Sequence, residues 1–145
     1  MIRRKAQLSF EYIVLFSIMM IMFIIVGTIL VSGLEKSRKM ESEAAYLAKE
    51  IKADCIIASM SESDFQTRID IPQSIAGTKI FVDIYKAPDN LVVIREENSQ
   101  QGEDNLVARE FLPMIDSGGD SLNNITGKTI EIAKIGDNIS ISLSN

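Results

Sequence analysis

Residues 12–34 read YIVLFSIMMIMFIIVGTILVSGL, 23 positions without a charged side chain in a chain of 145. A bilayer's hydrocarbon core is about 30 Å thick and takes roughly 20 apolar residues in a helix to cross, so this run is long enough to span. No proline interrupts it, and its flanks differ in sign. Arg3, Arg4 and Lys5 precede it, whereas residues 35–145 carry 12 basic and 19 acidic side chains, a net −7. Positive flanks stay on the cytoplasmic side, which directs the C-terminal body outward. A secretory signal peptide fits less well. Its apolar run is about 7–15 residues and ends in a small-residue cleavage site, but Glu35-Lys36-Ser37-Arg38-Lys39-Met40-Glu41 follows here. On hydropathy alone, a plain single-span anchor is the simplest account.

Composition removes whole classes of function. An acidic body has no basic face to meet phosphates, which argues against nucleic acid as a partner. The chain has no His, no Trp and one Cys. Histidine acid/base chemistry, zinc sites and an internal disulfide framework are therefore excluded. An enzyme would have to work with carboxylates, lysines and hydroxyls, and no nucleophile arrangement, phosphate loop or cofactor motif stands out. The expectation is a protein that is not an enzyme and needs no cofactor or metal.

Hydropathy leaves Glu11 unexplained. It stands at the membrane end of the apolar run, within Gln7-Leu8-Ser9-Phe10-Glu11-Tyr12-Ile13-Val14-Leu15. An acidic residue costs about 2.5–3.5 kcal/mol at mid-bilayer and less near the interface, so it usually has a partner. The basic stretch Arg3-Arg4-Lys5-Ala6, with Gln7, Ser9, Glu11 and Leu15 after it and the apolar run directly following, resembles the class III signal peptide of archaeal type IV pilin-like proteins. The resemblance covers about the first 35 residues. It implies that a membrane-embedded prepilin peptidase removes the basic leader on the cytoplasmic side, between Ala6 and Gln7. It further implies that the apolar segment is kept as the packing core of a homo-oligomeric helical filament, built by a pilus assembly machinery. The precursor would lie in membrane lipid and the mature subunit in an extracellular surface filament. Glu11 would then be the fifth residue, one helical turn from a new positive amino terminus, and would set axial register by pairing with a neighbour's amine.

The helical signal outlasts the apolar run. Residues 35–58 contain no Pro or Gly and are rich in good helix formers. Met40, Ala44, Leu47, Ile51 and Cys55 fall on one stripe, and Glu43, Lys49, Glu50, Lys52 and Asp54 lie mostly off it. This predicts one helix over about residues 8–58, some 75 Å at 1.5 Å per residue. Its first half needs lipid or sister helices, being apolar all round, and its second half has one face for a globular body. Gly27, Thr28, Ser32 and Gly33 would permit close helix approach or bending, or are ordinary membrane-helix residues. Cys55 reads as a small core residue, with an intersubunit disulfide as the alternative.

From Phe65 the pattern alternates with period two. Strands are predicted around Ile69 and Ile71, over residues 78–86, 91–97 and 106–112, at Ile130 and Ile132, and through Ile139, Ile141 and Leu143. Turns are expected at Ala87-Pro88-Asp89-Asn90 and Gly136-Asp137-Asn138, and loops at residues 98–104 and 116–124. Two stretches look alike. Ile75, Gly77, Ile80 and Val82 with Asp89-Asn90-Leu91 match Ile125, Gly127, Ile130 and Ile132 with Asp137-Asn138-Ile139, each read as a hairpin introduced by a glycine loop. The fold expected is α+β: a long N-terminal helix with five to seven antiparallel strands, as a sheet or sandwich, packed on its distal half. The parts are residues 1–6 as leader, 7–34 as membrane and assembly helix, 35–60 as its amphipathic continuation, and 61–145 as an extracellular β-rich head.

Asn124-Ile125-Thr126 and Asn138-Ile139-Ser140 are candidate glycosylation acceptors. Residues 116–124 carry oxygen ligands but lack the spacing and closing Glu of an EF-hand, so a solvated loop is the better reading. The sequence thus points to a pilin subunit. The rival readings are a single-pass membrane-anchored extracellular binding or adhesion domain, a minor pilin that primes, caps or adheres, and, far behind, a surface hydrolase.

Overall fold

A computed structural model describes residues 2–97, 105–113 and 121–144, with the side chains of residues 2–9 left aside. The polar loop at 98–104 and most of the one at 116–124 fall outside the described residues. The element order is α1 (Ile2–Met60), β1 (Phe65–Asp70), β2 (Ser74–Ile75), β3 (Thr78–Tyr85), β4 (Leu91–Glu96), β5 (Asn105–Phe111), β6 (Thr129–Ile135) and β7 (Asn138–Leu143). The fold is α+β, as the sequence predicts. The chain divides into two compact units, Met1–Arg38 and Lys39–Asn145.

In the first unit the helix is apolar on every side. Its large side chains from Phe10 to Leu34 are exposed, from 41% at Val14 to 77% at Phe23. The few hydroxyls are satisfied inside the helix: Ser17 donates to the Ile13 carbonyl at 2.8 Å, Thr28 to Ile24 at 2.8 Å and Ser32 to Ile29 at 3.0 Å. They present little unmet polarity to an apolar solvent.

In the second unit, every stripe residue from Met40 to Cys55 is buried, joined by Ala48 and Ala58. They share one cluster with Ile69, Ile130, Ile132, Ile139 and Ile141 from the three-stranded sheet β1-β6-β7, and with Ile75, Ile80, Val82, Ile84, Val92 and Ile94 from the four-stranded sheet β2-β3-β4-β5. All ladders are antiparallel. Two sheets therefore share one core with a single helix face. The alanines let the helix backbone come close, and the isoleucines fill the pleats.

Polar clamps fix the helix end. It stops at Met60 without a glycine, and Lys134 from β6 donates to the carbonyls of Ser59 and Ser61, which the helix leaves without partners. Lys52 bonds Glu110 on β5 at 2.8 Å, and Thr67 on β1 donates to Asp54 at 3.4 Å.

The structure also corrects several expectations. The helix runs further at both ends than residues 8–58. The two-residue strand β2 went unseen because it is too short to show alternation; Ala76 and Gly77, at φ 50° and 75°, close it onto β3 in a two-residue turn of I′ character. Leu122, expected in a loop, exchanges backbone hydrogen bonds with Ile84 at 2.7 and 2.8 Å, and the Ile125 N–H donates to Val82. This segment lies along β3 before the chain turns at Gly127 into β6. The two look-alike stretches are both hairpins, β3–β4 and β6–β7, but in different sheets, and only the first is led in by a strand turn. Asn138 pairs with Ile135, so the β6–β7 turn itself is Gly136-Asp137.

Ile51 is fully buried, whereas Ile57 on the same helix is 51% exposed. Ile51→Ala is expected to cost about 2–5 kcal/mol of head stability, and Ile57→Ala less than about 0.5 kcal/mol. Guanidinium unfolding of the detergent-solubilised chain, followed by β-sheet circular dichroism, separates the two.

Candidate functional site

α1 is long and apolar enough to cross a membrane within Phe10–Met60. The residues singled out from the sequence lie at its start. Ala6, Gln7 and Ser9 belong to the helical backbone, with side chains outside those described, and Glu11 and Leu15 are exposed. An α-helix carries i, i+4 and i+8 on one face, so positions 7, 11 and 15 fall in one line along it. Glu11 stands one turn, about 6 Å along the axis, beyond Gln7. Among the described residues Glu11 takes part in no hydrogen bond or ion pair, and a carboxylate in an apolar setting is costly without a partner.

Further along, Gly27, Thr28, Val31 and Ser32 floor a shallow groove of about 490 Å³ between Phe23 and Glu35. A methyl group built on Gly27 or Gly33 would meet no heavy atom within 4 Å. Mid-helix glycine costs about 0.8–1 kcal/mol relative to alanine, and no contact within this chain makes use of the missing side chains.

The head holds the other candidates. Asn124 is exposed, with φ at 50°. Its N–H donates to Asp83 Oδ1 at 2.7 Å, and the Thr126 hydroxyl donates to the Ile80 carbonyl at 2.9 Å. Asn138 is exposed at the start of β7, while Ile139 behind it is buried. Both acceptor asparagines are therefore reachable on the folded head. Among the described residues no group of three or more His, Cys, Asp or Glu could hold a metal ion.

One functionally placed polar residue escaped the sequence reading. Asp83 sits between Val82 and Ile84 in β3, where alternation by itself marks no polar partner. It is 2% exposed, pairs with Arg95 on β4, and anchors the Asn124 backbone. The only signal available was an acidic residue inside an apolar strand. Its partner is twelve residues away, in the return strand of the hairpin.

The remaining ionisable groups are structural. Lys52 beside Glu110 holds that carboxyl below its ordinary range. Burial, with a smaller contribution from the Asp54 charge, pushes the Cys55 thiol from 9.0 up to about 12. A thiol that stays protonated is a poor nucleophile, which leaves Cys55 as core filling and removes it from disulfide exchange in the folded head. No family model, curated protein or solved structure matches the chain.

Maleimide at pH 8 should leave Cys55 almost unlabelled in the native chain and label it quickly in guanidinium. The raised thiol value also has a stability consequence. The folded head keeps a proton that the unfolded chain loses from about pH 9.0 upward. This contribution is therefore complete below about 9 and lost as pH climbs towards 12, visible as a falling unfolding midpoint.

Proposed function

We propose that the chain is the precursor of a structural subunit of an archaeal type IV pilus-like surface filament. A prepilin peptidase cuts it between Ala6 and Gln7, and the retained helix packs with copies of itself while the β-rich head stays outside. The carrying observation is an exposed Glu11, without a hydrogen bond or ion pair among the described residues, on an all-round apolar helix directly behind the basic leader Arg3-Arg4-Lys5. Lipid covers such a helix as well as sister helices do, so apolarity alone supports only a tether. A carboxylate one turn from a new amino terminus supports assembly, because an amine from an adjoining copy neutralises it at one axial register. The glycines of this helix, Gly27 in the groove and Gly33 beyond it, support the same reading. Their smallness serves close approach only if another helix lies there. The tethered-domain reading needs neither feature. The minor-pilin variant keeps both, and differs in how abundant the chain is in the filament.

The mature protein should begin at Gln7, its mass lacking Met1 to Ala6. A bulky or charged residue at Ala6 or Gln7 should keep the leader attached. Glu11→Gln should be processed normally and yield at least about tenfold fewer sheared filaments, since one lost charge pairing in an apolar setting exceeds 1.4 kcal/mol. Gly27→Leu should behave likewise, with head stability unchanged. A mature chain still starting at Met1 and monomeric in lipid would leave only the tether.

A further inference from the structure

The face of the four-stranded sheet turned away from the core carries a feature that filament formation does not use. On β3, Ile80, Val82 and Ile84 point into the core, so Lys79, Phe81 and Asp83 point the other way. An open cleft of about 530 Å³ lies here, lined by Gln73, Lys79, Phe81, Glu97, Asn124 and Thr126. That volume falls within the range of small-ligand sites.

Parts of the cleft are held in place at some cost. The Gln73 side chain lies on Gly127, where an added Cβ would sit 2.8 Å from Gln73 Cγ and 3.2 Å from Nε2. Buried Asp83 grips the Asn124 N–H, which keeps a non-glycine residue in the left-handed region. Ala76, beside the cleft's Gly77, is in the same region. Two of the three described non-glycine residues with positive φ thus border one cleft. Backbone strain of this kind costs about 1–3 kcal/mol per residue and gathers at ligand sites.

We propose that this cleft is a saccharide-binding subsite. Lys79 and Glu97 face each other at 3.8 Å, so the walls favour neither anion nor cation. What remains is two carboxamides, the hydroxyls of Ser74 and Thr126 and one aromatic ring. Such a set suits a neutral ring with hydroxyls at its rim and an apolar face to lay on Phe81. A peptide strand finds no edge here, because β2 and the segment at Leu122 and Ile125 already occupy that side of β3. The sugar has two sources: a glycan presented to the protein from outside, or one carried on Asn124 itself, whose acceptor sequence stands at the lip. The inference is independent of the filament reading.

The test uses the full-length chain in detergent. Made in a host without N-glycosylation, it is applied to an array of glucose-, mannose-, galactose- and N-acetylhexosamine-terminated oligosaccharides. Phe81→Ala and Gln73→Leu are compared with the parent, their folding checked by the unfolding midpoint. An external sugar is retained by the parent and weakened about tenfold or more in each variant, the size of one good contact. In the second arm, chain from native cells is compared with Asn124→Gln. A glycan on Asn124 that shifts the amide resonances of Gln73 and Phe81 identifies the chain's own sugar as the occupant. The proposal is overturned if a retained sugar is indifferent to both substitutions. It also fails if no sugar is retained and Asn124 is either bare or carries a glycan that leaves those resonances unmoved.

Discussion

A helix whose apolar surface closes around its whole circumference cannot be satisfied by one globular body, and this requirement governs the rest of the chain. A sheet covers one face of a helix, at most a third to a half of its girth. The residues from Phe10 to Leu34 are exposed on all sides, a surface compatible with lipid around the whole helix. From Met40 onward the apolar surface narrows to a stripe, and there two small sheets suffice. The same covalent helix thus meets two environments, and the change in circumferential pattern marks where one gives way to the other.

Within the head, one buried helix face does the holding that a covalent cross-link would otherwise do. The only cysteine is buried and holds its proton, so no staple is formed within the chain. The core instead draws isoleucine and valine from two sheets onto alanines and Ile51 of the helix. Each fully buried side chain of this size contributes roughly 1.5–3 kcal/mol. Polar clamps then remove the remaining freedom: Lys134 on the helix end, Lys52 on β5, and Asp83 between β4 and the chain that returns from the second loop. The clamp at Asp83 matters most for connectivity. It ties the segment leaving the four-stranded sheet to β3 just before that segment enters the three-stranded one.

The fold was largely legible in the sequence because its two periodicities are clean. Met40 to Cys55 repeats at helical spacing, and Ile80, Val82 and Ile84 repeat at two, so each burial followed from local pattern. What escaped depended on partners distant in the chain. β2 needs only two residues because Ala76 and Gly77 fold it back; Leu122 is in register only because Ile84 is there to receive it. Asp83 drew no notice in the sequence because alternation alone does not bury it; it pairs with Arg95 and holds the Asn124 N–H. At the helix start the balance is reversed. Gln7, Ser9, Glu11 and Leu15 are conspicuous as sequence, yet Glu11 has no partner among the described residues, so a motif proposed to act between copies does not show as a finished site in one.

That asymmetry bears on how the two ends of the molecule relate to their partners. A site completed within one chain declares itself by preorganisation: Gln73 seated on Gly127, Asn124 held in an unfavourable conformation by a buried carboxylate. A site completed by a second chain shows instead as unmet demand, such as helix glycines whose missing side chains leave only empty space. The head carries the first kind of mark and the proposed assembly helix carries the second. Self-association would satisfy the helix without drawing on the head's cleft. On these grounds the proposed assembly surface and the proposed ligand cleft make separate demands, because they rest on different residues.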